Sequence, residues 1–202
     1  MYPSIQPSAS FFLQVDKYHK IFIQEYGNKN GIPVIYLHGG PGGSVGPKNR
    51  RIFNPKKYRI ILFDQRGCGK SKPLRSIINN TTNQLIGDME KIRKYLKINK
   101  WLIVGGSWGS TLALSYSIKN PSQVLGMVLR GVFLGSKEET RWAFNDAAKF
   151  FYPEIIDHIE NKISKNKKND IFIELGKMLD SKNKRKNIFA ANIWDKYERT
   201  LS

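Results

Sequence analysis

Residues 101–114 read WLIVGGSWGSTLAL. Four apolar residues run into two glycines, a serine stands at position 107, and Gly109 opens a run of small and apolar residues. WLIVGG reads as a strand buried on both faces, because its apolar run does not alternate with polar residues. SWGSTLALSYSIKNP reads as a helix ended by Asn120-Pro121. Strand and helix therefore meet at Gly105-Gly106-Ser107-Trp108-Gly109, the G-x-S-x-G pattern. A turn this tight imposes a strained backbone on the serine and leaves room only for small residues two places before and after it. It lifts the Ser107 hydroxyl clear of the sheet and sets the Trp108 backbone N–H beside it at a helix N-terminus. A developing oxyanion can be stabilised there.

The five-residue pattern alone is weak, since composition produces it by chance in roughly one chain in ten of this size. A glycine turn with Ser107 as an ordinary helix N-cap is the competing reading. Context decides between them. A second apolar strand, IPVIYL, runs into HGGPGG at residues 38–43. Such a loop supplies the second oxyanion donor in sites of this kind, here a backbone N–H of Gly39 or Gly40.

The rest of the first two-thirds follows the same grammar. FFLQV (11–15) and KIFIQEY (20–26) alternate and are split by DKYH, a hairpin signal. YRIILF is another apolar strand, followed by the polar turn DQRGCGKS. QLIGDMEKIRKYL carries Leu85, Ile86, Met89, Ile92 and Leu96 at helical spacing, and VLGMVLRGVF reads as a fourth buried strand. The expected fold class is α/β with a mostly parallel sheet over residues 1–134, its three glycine-rich turns gathered at the carboxyl ends of the strands. From 135 to 202 the sequence is helical and highly charged, and is expected to form a separate helical segment lying as a cap over that edge.

Other chemistries are poorly served. GCGKS lacks the glycine five places before Gly69 that a phosphate loop needs, since Asp64 stands there, and neither possible G-x-G-x-x-G run is completed. His19, His38 and His158 are far apart and Cys68 is alone, so no metal or cofactor is expected. Lys and Arg total 34 against 16 Asp and Glu, a net charge of +18. The lysines are scattered apart from NKISKNKKND and DSKNKRKN, and neither cluster interleaves aromatics. A solvated basic surface is therefore expected rather than a nucleic-acid partner. No apolar run of membrane-spanning length and no signal-peptide pattern occur, so the expected site of action is the cytoplasm. A single cysteine fits a reducing compartment.

HGGPGG, DQRGCGKS and GGSWGSTLALSY together resemble the proline iminopeptidases, serine peptidases of the α/β-hydrolase fold, and the resemblance covers nearly the whole chain. It implies release of an N-terminal proline from peptides by attack of a serine on the proline carbonyl. Ser107 matches the nucleophile, while Trp108 and the Gly39-Gly40 pair match the oxyanion region. Asp64, Arg66 and Gly67 match a turn read as architectural. Phe133 matches an aromatic that packs on the proline ring. Glu198, in WDKYE, matches the glutamate of W-x-x-W-E that holds the substrate's free amine, with Tyr197 departing from the second tryptophan. An esterase or an inactive relative is the alternative; an epoxide hydrolase would carry aspartate where Ser107 stands.

A serine needs a base, and in this fold the acid and then the histidine follow it. His158 is the one histidine after Ser107, and it lies in the helical segment. The resemblance implies that the acid and histidine lie beyond residue 202. The 202-residue chain alone is accordingly expected to be poorly folded or inactive.

Overall fold

In the computed structural model, β1 (Ala9–Gln14) and β2 (Lys20–Gly27) form the expected antiparallel hairpin, with Phe12 opposite Phe22. The Asp16 carboxylate closes the hairpin's turn by accepting the backbone N–H groups of Tyr18 and His19, each at 2.8 Å. β2 then pairs antiparallel with β4 (Tyr58–Phe63). β4, β3 (Ile32–Leu37), β5 (Trp101–Ser107) and β6 (Val124–Val132) run parallel, giving a six-stranded sheet in the order β1-β2-β4-β3-β5-β6. The structure describes residues 1–163 and 171–201. It divides into two compact units, Met1–Gly135 and Ser136–Ser202.

The order of strands reverses about β3, which has β4 on one side and β5 on the other. Open α/β sheets form their ligand crevice at such a switch point, outside the carboxyl ends of the strands. Here the register pairs Leu37 with Gly105, so the HGG loop after β3 and the elbow after β5 leave the sheet side by side.

The apolar runs of β3 and β4 split between two cores because alternate side chains point to opposite faces. Ile35, Leu37, Ile61 and Phe63 pack with Met89 and Leu112 on the face that carries α1 (Thr82–Tyr95) and α2 (Trp108–Lys119). Val34, Ile60 and Leu62 pack with Tyr26 and Phe53 on the other. In α1 the residues read at helical spacing, Leu85, Ile86, Met89 and Ile92, are the buried apolar ones, each contributing about 2 kcal/mol relative to exposure. Thr81 caps the helix by accepting the Gln84 N–H.

β6 forms where VLGMVLRGVF predicts a strand, but it is not buried: Leu125, Met127, Val128 and Val132 are all exposed. A strand is covered on both sides only when it has neighbours. Among the described residues β6 pairs with β5 alone and ends the sheet.

In the second unit the stretch 137–156 is not one continuous helix. It comprises α3 (Lys137–Arg141), a π-helical turn (Trp142–Asp146), α4 (Ala147–Phe151) and the start of α5 (Pro153–Ile163). The break falls at Tyr152, where the following proline disfavours helical backbone. α6 (Ile171–Leu179) and α7 (Lys184–Leu201) complete the unit, and Ile156, Ile159, Leu175, Ala190, Ile193 and Tyr197 form its core. Of the lysine cluster 161–170, residues 164–170 lie outside the described residues. Among the described residues no helix is long and apolar enough to cross a membrane.

Candidate active site

Ser107 is the last residue of β5 and immediately precedes α2, with φ +54° and ψ −125°. That conformation is sparsely populated for a residue with a β-carbon and costs of the order of 1–3 kcal/mol. The sheet and helix impose it. A β-carbon on Gly105 would lie 2.3 Å from the Gly109 carbonyl oxygen, and one on Gly109 would lie 2.2 Å from the Leu37 carbonyl oxygen. Both flanking glycines of the motif are therefore sterically required. The Ser107 side chain makes no capping hydrogen bond and is exposed, which rules out the ordinary N-cap reading. Trp108 is the first residue of α2, so its backbone N–H has no acceptor within the helix. The Ser110 hydroxyl reaches the Gly105 and Arg130 carbonyls at 3.1 and 3.2 Å, fastening the first turn of α2 to β5 and β6.

The HGG loop lies against this serine. A β-carbon on Gly39 would stand 3.4 Å from Ser107 Cβ and 4.0 Å from Ser107 Oγ. His38 is buried and both of its ring nitrogens are engaged. Nε2 accepts the Gln65 backbone N–H at 3.0 Å, so the ring proton sits on Nδ1, which donates to the Gly39 carbonyl at 2.9 Å. Burial holds the His38 imidazole below its ordinary pKa, outweighing the Gly39 carbonyl and the Asp64 charge, which act the other way. The Gly43 N–H also donates to the Gly39 carbonyl, at 3.2 Å.

Gln65 joins the two halves of the site. The Trp108 indole N–H donates to its side-chain oxygen at 3.0 Å, and its amide nitrogen donates to the His38 carbonyl at 2.9 Å. Indole N–H is only a donor, which fixes the orientation of the Gln65 amide. In the sequence Gln65 stands between the charged Asp64 and Arg66 with no pattern of its own. The available signal was chemical: Gln65 is the one side chain of the DQRG turn that both donates and accepts.

The neighbours hold the turn itself. Asp64 accepts the backbone N–H groups of Val45 and Lys70 at 2.9 and 2.8 Å. Arg66 is buried and clasps Asp88 through two bonds of 2.6 and 2.7 Å. It also pairs with Asp16 at 2.8 Å and donates to the Asn79 carbonyl at 2.8 Å. Burial pushes the Asp16 carboxyl upward, but hydrogen bonds from Tyr18 and His19 and the Arg66 charge prevail and hold it well below the usual carboxylate range.

Phe133 stands one residue past Val132, the β-ladder partner of Ser107, and its carbonyl accepts the Thr111 hydroxyl at 2.5 Å. Ser107, Gly39, Gly40, Trp108 and Phe133 are thus gathered at one edge of the first unit. Glu198 belongs to the second unit, exposed on α7 next to Tyr197, whose buried ring contacts Phe172 and Trp194 and whose hydroxyl donates to the Phe144 carbonyl. Position 197 is therefore a core position of that unit, which accounts for an aromatic of a different kind being accommodated there. His19 is fully buried against Asp16, and His158 is exposed on α5, where Lys162 and Lys196 hold its pKa down. Beside Trp108 opens a cavity of about 290 Å³ bordered by Pro41, Gly42, Gln65, Cys68 and Leu85. Among the described residues no group of three or more His, Cys, Asp or Glu side chains could hold a metal ion.

A strained serine between obligatory glycines, facing a glycine loop across a sheet switch point, defines a class, and the chain belongs to the α/β-hydrolase fold family, whose model matches residues 32–163. Within that class its similarity is to proline iminopeptidases. It is 43% identical over 202 residues to a probable proline iminopeptidase of Leptolyngbya boryana, covering 100% of this chain and 63% of the relative. It is 44% identical over 199 residues to a proline iminopeptidase of Arabidopsis thaliana, covering 98% of this chain and 52% of the relative. The chain thus spans between half and two-thirds of the length of these relatives. A solved proline iminopeptidase of Mycobacterium smegmatis shares the fold with a TM-score of 0.64 at 17% identity, over 96% of this chain and 69% of that one.

Proposed function

We propose that this chain carries the nucleophile of a serine aminopeptidase that releases N-terminal proline from peptides. The observation that carries the reading is Ser107 itself, held at positive φ with its hydroxyl exposed beside the Gly39 backbone. The match to proline iminopeptidases along the whole chain supports the substrate class.

In this reading Ser107 Oγ attacks the carbonyl carbon of the N-terminal proline residue, and the carbonyl oxygen becomes an oxyanion that accepts the Trp108 backbone N–H and a backbone N–H of Gly39 or Gly40. The amine of the next residue leaves with a proton, and water then hydrolyses the prolyl ester of Ser107. Phe133 packs on the pyrrolidine ring, and Glu198 is the carboxylate assigned to the ring's ammonium. A carboxylate suits a cation in a partly desolvated pocket. Both nitrogens of His38 are committed and His19 is buried with Asp16, so the general base is assigned to neither. The reading places base and acid outside these 202 residues. It also takes peptides as the partners, with no nucleic acid or membrane, and the cytoplasm as the compartment, consistent with the lone cysteine.

The test is hydrolysis of proline 4-nitroanilide by the protein expressed from its complete gene. Turnover is expected, with loss of at least about a thousandfold in Ser107→Ala. N-acetylproline 4-nitroanilide is expected to resist cleavage, and Glu198→Gln to raise KM. Unchanged turnover in Ser107→Ala would overturn the reading.

A further inference from the structure

We propose that Gln65 is a positioning residue for the reaction assigned to Ser107: its amide ties the Trp108 indole to the His38 carbonyl, locking the two oxyanion donors to one another. The proposal rests on the preceding functional reading and deepens it.

The argument begins with peptide geometry. In a trans peptide the C=O and the next N–H point in opposite directions. The Gly39 carbonyl is held from one side by His38 Nδ1–H at 2.9 Å and by the Gly43 N–H at 3.2 Å. The Gly40 N–H, in the same trans peptide, is therefore fixed to the opposite side. His38 can hold that carbonyl only in the tautomer with the proton on Nδ1, and the Gln65 backbone N–H selects this tautomer by occupying Nε2.

The Gln65 side chain then closes the circuit. Its amide nitrogen holds the carbonyl of His38 and its oxygen holds the ring of Trp108, the residue whose backbone N–H is the other donor. Gln65 is buried at 3% exposure and His38 at 2%, so the bond between them faces little competition from water. Oxyanion stabilisation depends on donors fixed before charge develops. A side chain that sets the spacing between the two donors consequently acts on the transition state far more than on the bound substrate.

The experiment compares the protein expressed from its complete gene with Gln65→Leu and Gln65→Glu. Leucine removes both side-chain bonds; glutamate keeps an acceptor for the indole and loses the donor to His38. Each variant is expected to lower kcat about a hundredfold with KM within about threefold of the parent. Amide spectra of protein labelled with 15N-glycine and 15N-tryptophan supply a readout that needs no turnover. In Gln65→Glu the Gly39 and Gly40 signals are expected to shift while the Trp108 indole signal stays hydrogen-bonded; in Gln65→Leu both ends move. Should the variants not fold, the parent's own signals still decide the matter, because the proposal requires a hydrogen-bonded Trp108 indole N–H and a hydrogen-bonded Gln65 side-chain amide. A Gln65 amide free of hydrogen bonds, perturbation confined to Trp108, or a folded variant with unchanged kcat would overturn it. If the parent shows no Ser107-dependent turnover, the functional reading fails, and the spectra judge the clamp independently.

Discussion

Gly109 packs so closely on the end of β3 that a β-carbon there would stand 2.2 Å from the carbonyl oxygen of Leu37. Backbone cannot yield as a flexible side chain can, so the helix after the elbow would have to move. Gly109→Ala is expected to destabilise the protein by about 3 kcal/mol, at the upper end of overpacking costs, as measured by urea unfolding. Gly87 supplies the contrast. It lies inside α1 with open space where a β-carbon would go, and Gly87→Ala should stabilise by about 0.5–1 kcal/mol. Equal effects at the two sites would contradict the geometry given for the elbow.

The strain at Ser107 is separable from its chemistry. Alanine at φ +54° keeps the steric cost, whereas glycine does not. Ser107→Gly is therefore expected to be more stable than Ser107→Ala by about 1 kcal/mol, after allowing for glycine's greater freedom in the unfolded chain. Both should be inactive against proline 4-nitroanilide. Thermal unfolding of the two variants side by side is the measurement, and identical midpoints would mean that the elbow is relaxed.

The fold and the placing of Ser107 at a strand end are legible in the sequence, because they are written in features with short sequence range. The glycines around Ser107 and the pair after His38 stand at fixed short spacings at the ends of apolar runs, which marks them in the sequence even though the backbone that crowds Gly39 and Gly109 comes from the neighbouring strand's end. The buried face of α1 follows from periodicity, the hairpin from two alternating runs split by a turn, and the parallel strands from the alternation of apolar runs with helices. Two things were not legible. The role of Gln65 depends on bonds to His38 and Trp108, 27 and 43 positions away, and no periodic pattern encodes such a meeting. The exposure of β6 was misread because an apolar strand looks the same whether or not a neighbour covers it.

Burial of His38 has a pH signature. Its imidazole is held neutral in the folded protein and takes up a proton near pH 6.5 once unfolded. Below that pH the unfolded state binds more protons, so stability rises with pH and is lost as pH falls from about 7 to 5. Asp16 acts in a lower window. Its folded pKa is depressed, so its contribution is present above the ordinary carboxylate range and is lost as pH falls below about 4. Urea unfolding at pH 7, 6 and 5 should show the first loss, and His38→Asn should reduce the slope. A flat profile between pH 7 and 5 would mean that His38 is protonated in the fold.

The last strand makes a prediction about the 202-residue polypeptide itself. Among the described residues β6 pairs with β5 on one side only, and Leu125, Met127, Val128 and Val132 are 52%, 40%, 62% and 55% exposed. An apolar strand with an open edge and exposed side chains is a template for pairing with another chain. Of the devices that natural proteins use to blunt such edges, a lysine on the edge strand is the simplest to install. The polypeptide is expected to self-associate with rising concentration, and Val128→Lys to lower the associated fraction several-fold without loss of helical signal. Val128 is chosen because it is the most exposed of the four, so the substitution removes no core contact. Light scattering across a concentration series reads the effect. A parent that stays monomeric throughout, or a variant that associates equally, would mean that the edge is already protected.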